Sequence, residues 1–147
     1  MENGRSVIGC KWVFKAKYTN DGRVDRYKGR LVAKGYSRTQ GIDYDEKISP
    51  VVTYSSVRAL LTYGQHRAML IDQMDVVTAF LNGELEEDIY MEQPEGFMVK
   101  RQETLVCKLN KSLYGLKQSP RCWNSTRDKQ LKLMGFSNSG ADHCVYT

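Results

Sequence analysis

Residues 10–33 read CKWVFKAKYTNDGRVDRYKGRLVA, and this stretch decides the fold class. Cys10, Trp12, Phe14, Ala16 and Tyr18 alternate with Lys11, Lys15 and Lys17, the period-two pattern of a half-buried strand with a basic outer face. Asn20-Asp21-Gly22 supplies residues that tolerate positive φ, and a second β-like run, Val24 to Ala33, follows it. A basic β-hairpin is predicted.

Downstream, Gly35 to Pro50 is polar, holds two glycines and ends at a proline, so it reads as a long loop of the kind that is functional or disordered. Ser55 or Ser56 then caps a helix carrying Val57, Leu60, Leu61 and Gly64 on one side and ending near Ala68. Met69 to Asp75 is apolar at alternate positions, which predicts a strand delivering Asp75 to its C-terminal end. Asn82-Gly83 marks a turn, and Ile89-Tyr90-Met91 and Leu105 to Leu109 are further strand candidates. Ser119 and Pro120 have the form of an N-cap and a first helical residue. Trp123, Arg127, Gln130 or Leu131, and Met134 follow at helical spacing, with Gly135 as the stop. Cys144 to Thr147 begins another apolar alternation.

The chain has 147 residues, with 41% hydrophobic and 27% charged side chains, which fits one soluble globular domain and excludes the disordered and membrane classes. No apolar run approaches the ~20 residues of a membrane span, and Met1 to Ser6 is polar rather than signal-like, so an intracellular protein, cytoplasmic or nuclear, is expected. Cys10, Cys107, Cys122 and Cys144 contain no C-x-x-C pair, and they are read as reduced core thiols. The net charge of +5 is segregated. Residues 1–38 hold ten Lys/Arg against Glu2, Asp21 and Asp25, residues 100–132 hold nine against Glu103 and Asp128, and residues 84–95 hold six acids and no base. Basic blocks of this kind are either solvated faces or surfaces that track phosphates.

Asp75 stands in Ile71-Asp72-Gln73-Met74-Asp75-Val76-Val77, and Thr78 to Gly83 forms a tight bend beyond it. Taken alone, an acid at such a place is an exposed terminus or a cap. The longer segment QMDVVTAFLNGELEEDIYMEQPEGF (73–97) resembles the first catalytic segment of copia-type retrotransposon reverse transcriptases. GCKWVFKAKY (9–18), RYKGRLVAKGYSRTQGIDYDEKISPVV (26–52), VCKLNKSLYGLKQSPRCW (106–123) and GFSNSGADHCVY (135–146) extend the resemblance, in order, over nearly the whole chain.

The resemblance implies an RNA-directed DNA polymerase of the right-hand type, with RNA or DNA template-primer and deoxynucleoside triphosphates as partners. Its fold would be α+β, with a fingers hairpin and an incomplete antiparallel palm sheet backed by two helices. Fingers would occupy about 9–50, and palm with interleaved fingers elements about 51–147. Nucleotidyl transfer would use two Mg²⁺ (or Mn²⁺) ions ~3.5–4 Å apart. By position in the motif Asp75 is the first metal-binding aspartate, with the Val76 backbone carbonyl as an added ligand. Phe80 matches the aromatic steric gate that excludes a ribose 2′-hydroxyl, though without the motif it would be a core phenylalanine. Lys28 and Arg30 meet the triphosphate, where the alternative is ordinary solvent-facing charge. Tyr114 and Gly115 contact the nascent base pair, where the alternative is a plain turn. Lys117 and Arg121 would serve template phosphates.

Palm polymerases of this type also carry a Tyr-Xaa-Asp-Asp hairpin, and these 147 residues contain no such pair; Asp43 and Asp45 flank Tyr44 but fall in the fingers-side loop. The expectation is a truncated reverse transcriptase domain, a transposon remnant with negligible activity of its own and dependent on absent polymerase segments. The alternatives are a non-catalytic nucleic-acid-binding module and a non-functional fragment.

Overall fold

The computed structural model describes residues 7–37 and 49–147. Strand β1 (Cys10–Tyr18) and strand β2 (Val24–Ala33) form the antiparallel hairpin at the boundaries expected from the alternation. The turn closes through Thr19 N–H to Arg23 O (2.9 Å) and Gly22 N–H to Thr19 O (3.0 Å), with Gly22 at φ +81°. Directly opposed residues share a face, so the register resolves the hairpin into two unlike sides. Lys11, Val13, Lys15 and Lys17 lie with Val32, Arg30, Lys28 and Arg26, while Trp12, Phe14 and Ala16 lie with Leu31, Gly29 and Tyr27. Phe14 and Tyr18 are exposed instead of lying on a buried inner face, because the buried cluster lies only at the hairpin's base.

A 3-10 turn at Gly35–Ser37 follows, and the rest of the predicted loop, 38–48, falls outside the described residues together with Asp43, Tyr44 and Asp45. Helix α1 (Tyr54–His66) is capped by Thr53, whose side-chain oxygen accepts from Ser56 N–H at 3.2 Å, not by Ser55 or Ser56. The hydroxyl two or three residues before a free N–H is the one that reaches it, which places the cap earlier than expected. Helix α1 ends at His66, two residues short of the expectation.

Residues 69–75 form no strand. A strand needs a neighbour to take its N–H and C=O groups, and among the described residues none lies beside this segment. The chain instead turns back along α1, with Met69 N–H donating to Gly64 O at 2.9 Å and Ile71 packed on Gly64.

After a 3-10 turn at Ala79–Asn82 come strand β3 (Glu84–Glu92) and strand β4 (Val106–Lys111), a second antiparallel pair; β3 extends well beyond the predicted Ile89–Met91. Helix α2 (Ser119–Leu133) packs on β3 and on the 3-10 turn. Among the described residues, α2 is the helix that packs on the second sheet, where two backing helices were expected. The N-cap of α2 is Gln118, without a side-chain cap, and Ser119 is already inside the helix with its hydroxyl turned to Leu113 O (2.6 Å). Gly135, at φ +95°, ends the helix as expected. A single bridge, Asn138 to Tyr146, closes the C-terminal residues.

The core joins the two halves. Ile8 bridges in parallel to Met91, and Ile8, Ala33, Ile89, Met91 and Leu116 are buried together, with Cys10, Leu31, Leu85, Leu109 and Leu113 packed around them. All four cysteines are free thiols, but only Cys122 is buried. Among the described residues no helix is long and apolar enough to cross a membrane.

Candidate nucleotide cleft

Three separated segments converge on a cleft of ≈ 600 Å³. Strand β2 contributes Arg26, Lys28 and Arg30 at alternate positions, which places their side chains on one face. Asp75 to Phe80 forms the opposite wall, and Tyr114 the third. The wall turns at Thr78, which sits in the left-handed region at φ 55° and passes directly into the 3-10 turn through Leu81 N–H to Thr78 O (2.8 Å). A non-glycine residue held there costs of order 1–3 kcal/mol, so the surroundings must enforce it. The Ser112 hydroxyl donating to Phe80 O, and Ser112 N–H donating to Gly83 O at 2.8 Å, tie the turn to the end of β4.

The rings form a connected set. Phe80 and Tyr114 have centroids 5.1 Å apart, tilted by 56°, and the Arg30 guanidinium lies 5.3 Å from the centroid of Tyr114. Tyr114 O accepts from Ala33 N–H at 2.7 Å, which pins this segment to β2. Gly115 is required twice over: its φ is +92°, and a Cβ there would collide with the Ala33 carbonyl. Gly35 meets the Gly115 carbonyl in the same tight crossing, a close approach the sequence did not announce.

Asp75, Val76, Lys28, Arg30, Phe80 and Tyr114 therefore line one space, and Gly115 supports it. Lys117 and Arg121 do not line it. Arg121 pairs with Glu87 (2.8 Å) and Glu86 (3.6 Å) at a separate pocket of ≈ 320 Å³. Burial works against its charge, but Glu87, Cys122 and Glu86 together raise its pKa above the usual arginine value. Arg26 was missed, although its period-two spacing from Lys28 and Arg30 was a legible signal. The sequence placed Thr78 at the start of a tight bend but did not announce its left-handed backbone.

Asp75 is exposed and is the one acid among the cleft's lining residues. Among the described residues no group of three or more His, Cys, Asp or Glu could hold a metal. The cleft is cationic along β2 and carries a single carboxylate, Asp75, on the facing segment.

A family model described as reverse transcriptase (RNA-dependent DNA polymerase) matches residues 1–147. The chain is 49% identical over 146 residues to the retrovirus-related Pol polyprotein from transposon TNT 1-94 of Nicotiana tabacum, covering 99% of this chain and 11% of that protein. It is 47% identical over 141 residues to the Pol polyprotein from transposon RE1 of Arabidopsis thaliana, covering 96% and 10%. A yeast relative, the Gag-Pol polyprotein of transposon Ty1-DR5 from Saccharomyces cerevisiae, is 28% identical over 144 residues, covering 97% and 8%. The chain spans about a tenth of the length of these curated relatives. No solved structure matches.

Proposed function

Because the chain belongs to the reverse transcriptase (RNA-dependent DNA polymerase) family, in its copia-type retrotransposon branch, we propose that the cleft receives the incoming deoxynucleoside triphosphate of a template-directed polymerase. The observation that carries this reading is the convergence of Lys28, Arg30, Asp75, Phe80 and Tyr114, drawn from segments far apart in sequence, on one space. In this reading the hairpin is the fingers and the β3–β4 sheet with α2 belongs to the palm. Lys28 and Arg30, with Arg26 beside them, neutralise the triphosphate, and a guanidinium does so bidentately. Phe80, packed at a tilt against Tyr114, lies under the sugar, where its ring excludes a 2′-hydroxyl. Gly115 lets the backbone approach the base pair.

The metal chemistry fits less well. Asp75 and the Val76 carbonyl offer the hard oxygen donors that Mg²⁺ takes, but two ions need several carboxylates and this cleft brings one. These residues do not by themselves make a two-metal site, and no catalytic step is assigned to them. We accordingly expect the 147-residue chain to bind nucleotide and template-primer without extending a primer.

A second reading, a non-catalytic nucleic-acid-binding module, draws on the hairpin's basic face. Lys15 opposite Lys28 and Lys17 opposite Arg26 are like charges placed directly across the ladder, an arrangement that weakens a hairpin unless a polyanion covers it.

The test is a titration of fluorescent deoxynucleoside triphosphate into the chain, with Lys28→Ala and Arg30→Ala beside it. Each substitution is expected to weaken binding roughly 10-fold or more, the scale of a hydrogen bond to a charged group; unchanged affinity would overturn the assignment. Primer extension with Mg²⁺ or Mn²⁺ is expected to give no product, and extension abolished by Asp75→Asn would show the single-carboxylate argument to be wrong.

A further inference from the structure

Ser112 stands one residue beyond β4 and two before Tyr114, and it is 1% exposed without lining the cleft. Both of its donors go to the turn that carries Phe80. The hydroxyl donates to Phe80 O, and the N–H donates to Gly83 O at 2.8 Å. Apart from the Ser112 hydroxyl, Phe80 O accepts only the turn's own closing bond, Gly83 N–H at 3.2 Å. The turn is also wedged from behind. A Cβ at Gly83 would lie 2.7 Å from Ser112 Oγ and 2.9 Å from the Cys122 Cβ, so the backbone runs directly between Ser112 and α2. The Phe80 ring itself is half-buried and packs on Tyr114, which belongs to the same short segment as Ser112.

We propose that Ser112 is a positioning residue for sugar discrimination: through the Phe80 carbonyl it sets how far the Phe80 ring stands into the cleft, and so how strongly a 2′-hydroxyl is rejected. This rests on the reading of Phe80 given above and names the group that holds the ring in place. A side chain acts as a steric barrier only when its backbone cannot retreat by the width of the atom it rejects. The four-residue 3-10 turn at Ala79–Asn82 is weak support for such a barrier, because its hydrogen-bond geometry is poor and it enters from Thr78 at φ 55°. The Ser112 hydroxyl adds a second, buried anchor at the carbonyl of the barrier residue, and it comes from the segment that presents the ring Phe80 packs on. Without that hydroxyl the Phe80 carbonyl keeps the Gly83 bond alone, and the ring gains room to yield. A shift of about 1 Å in a positioning element is enough to change a reaction or binding outcome by large factors.

The experiment titrates dATP and ATP, carrying the same fluorescent label on the γ-phosphate, into the 147-residue chain and its Ser112→Ala, Ser112→Cys and Phe80→Val variants, with a melting curve for each. The parent should prefer dATP by up to roughly 100-fold, the limit at which an apolar wall rejects an added hydroxyl. Phe80→Val should remove most of that preference. Ser112→Ala should lower it about 3- to 10-fold by tightening ATP, with dATP affinity close to the parent. Ser112→Cys, nearly the same shape with a weak S–H donor, should fall between the two and carries the test if Ser112→Ala does not fold. Equal weakening of dATP and ATP in a folded Ser112 variant would assign the hydroxyl to stability alone and overturn the proposal. Loss of preference in Phe80→Val with an unchanged ratio in the folded Ser112 variants would overturn this inference and leave the Phe80 reading standing. A parent without preference, or a Phe80→Val ratio equal to the parent's, would overturn the Phe80 reading and this inference with it.

Discussion

Two regions of this chain are built in opposite ways. Around Ile8, Ala33, Ile89, Met91 and Leu116, four separate stretches of sequence meet in a tight crossing where even a Cβ does not fit at Gly115 or Gly35. Around α1 and residues 69–77, apolar side chains are at the surface: Leu70 is 96% exposed, Met74 91%, and Leu60 and Leu61 about half. The first region is fixed by packing and ladder hydrogen bonds. The second is fixed by capping and a few polar contacts, of which Asp142 supplies the most. The cleft lies where they meet, with its cations and Tyr114 on the rigid side and Asp75 on the exposed side.

That contrast can be broken or sharpened by matched substitutions. The largest effect is expected from Gly115→Ala, which must move the Ala33 carbonyl or abandon φ +92° and should cost about 3 kcal/mol or more by denaturant unfolding. Its counterpart, Gly64→Ala in α1, places a Cβ 3.2 Å from the tip of the flexible Ile71 side chain and gains about 1 kcal/mol of helix propensity, so the two roughly cancel. If both glycines tolerate alanine equally, the comparison fails.

Next comes Ile89→Ala against Leu70→Ala. Ile89 is 2% exposed, and its truncation should cost about 2–5 kcal/mol; the Leu70 change should stay within roughly 0.5 kcal/mol. A destabilisation by Leu70→Ala comparable to that of Ile89 would show that the 69–77 segment is packed in solution.

The smallest effect concerns the link holding α1. Asp142 accepts from Ser56 Oγ (2.6 Å), Cys144 N–H (2.9 Å) and Thr53 N–H (3.1 Å), and these bonds, the Ser56 hydroxyl foremost, hold its carboxyl at about 2. Its folded pKa lies below the unfolded value of about 3.9, so its stabilising contribution is complete above that pH and is lost as pH falls towards 2. Amide exchange at the start of α1 should accelerate across this window and become insensitive to it in Asp142→Asn. Acceleration that persists unchanged in the variant would place the titrating group elsewhere.

Legibility followed the range of the interactions. The hairpin was readable to the residue because alternation and turn chemistry are both local. The stop of α2 at Gly135 was readable for the same reason, as positive φ is a property of one residue. Its start was misplaced by one residue because the backbone is already helical at Ser119, whose hydroxyl turns back to Leu113 O, a contact that residue pattern alone does not show. The strand expected at 69–75 had the right pattern but found no ladder among the described residues, and periodicity says nothing about partners. Arg121 had the composition of a phosphate ligand, yet the register of β3 places Glu87 against it.

By itself the sequence determined the family, the hairpin with its basic face, and the residue types of the cleft, because motif spacing, period and charge are written along the chain. Only the tertiary structure decided which of those residues share a space. It turned Arg121 inward to an acidic strand, brought Tyr114 onto Phe80 and Arg30, and left α1 with its apolar residues uncovered. The physical reason is that a side chain's partners are set by backbone crossings such as Gly115 over Ala33, which join residues more than eighty positions apart.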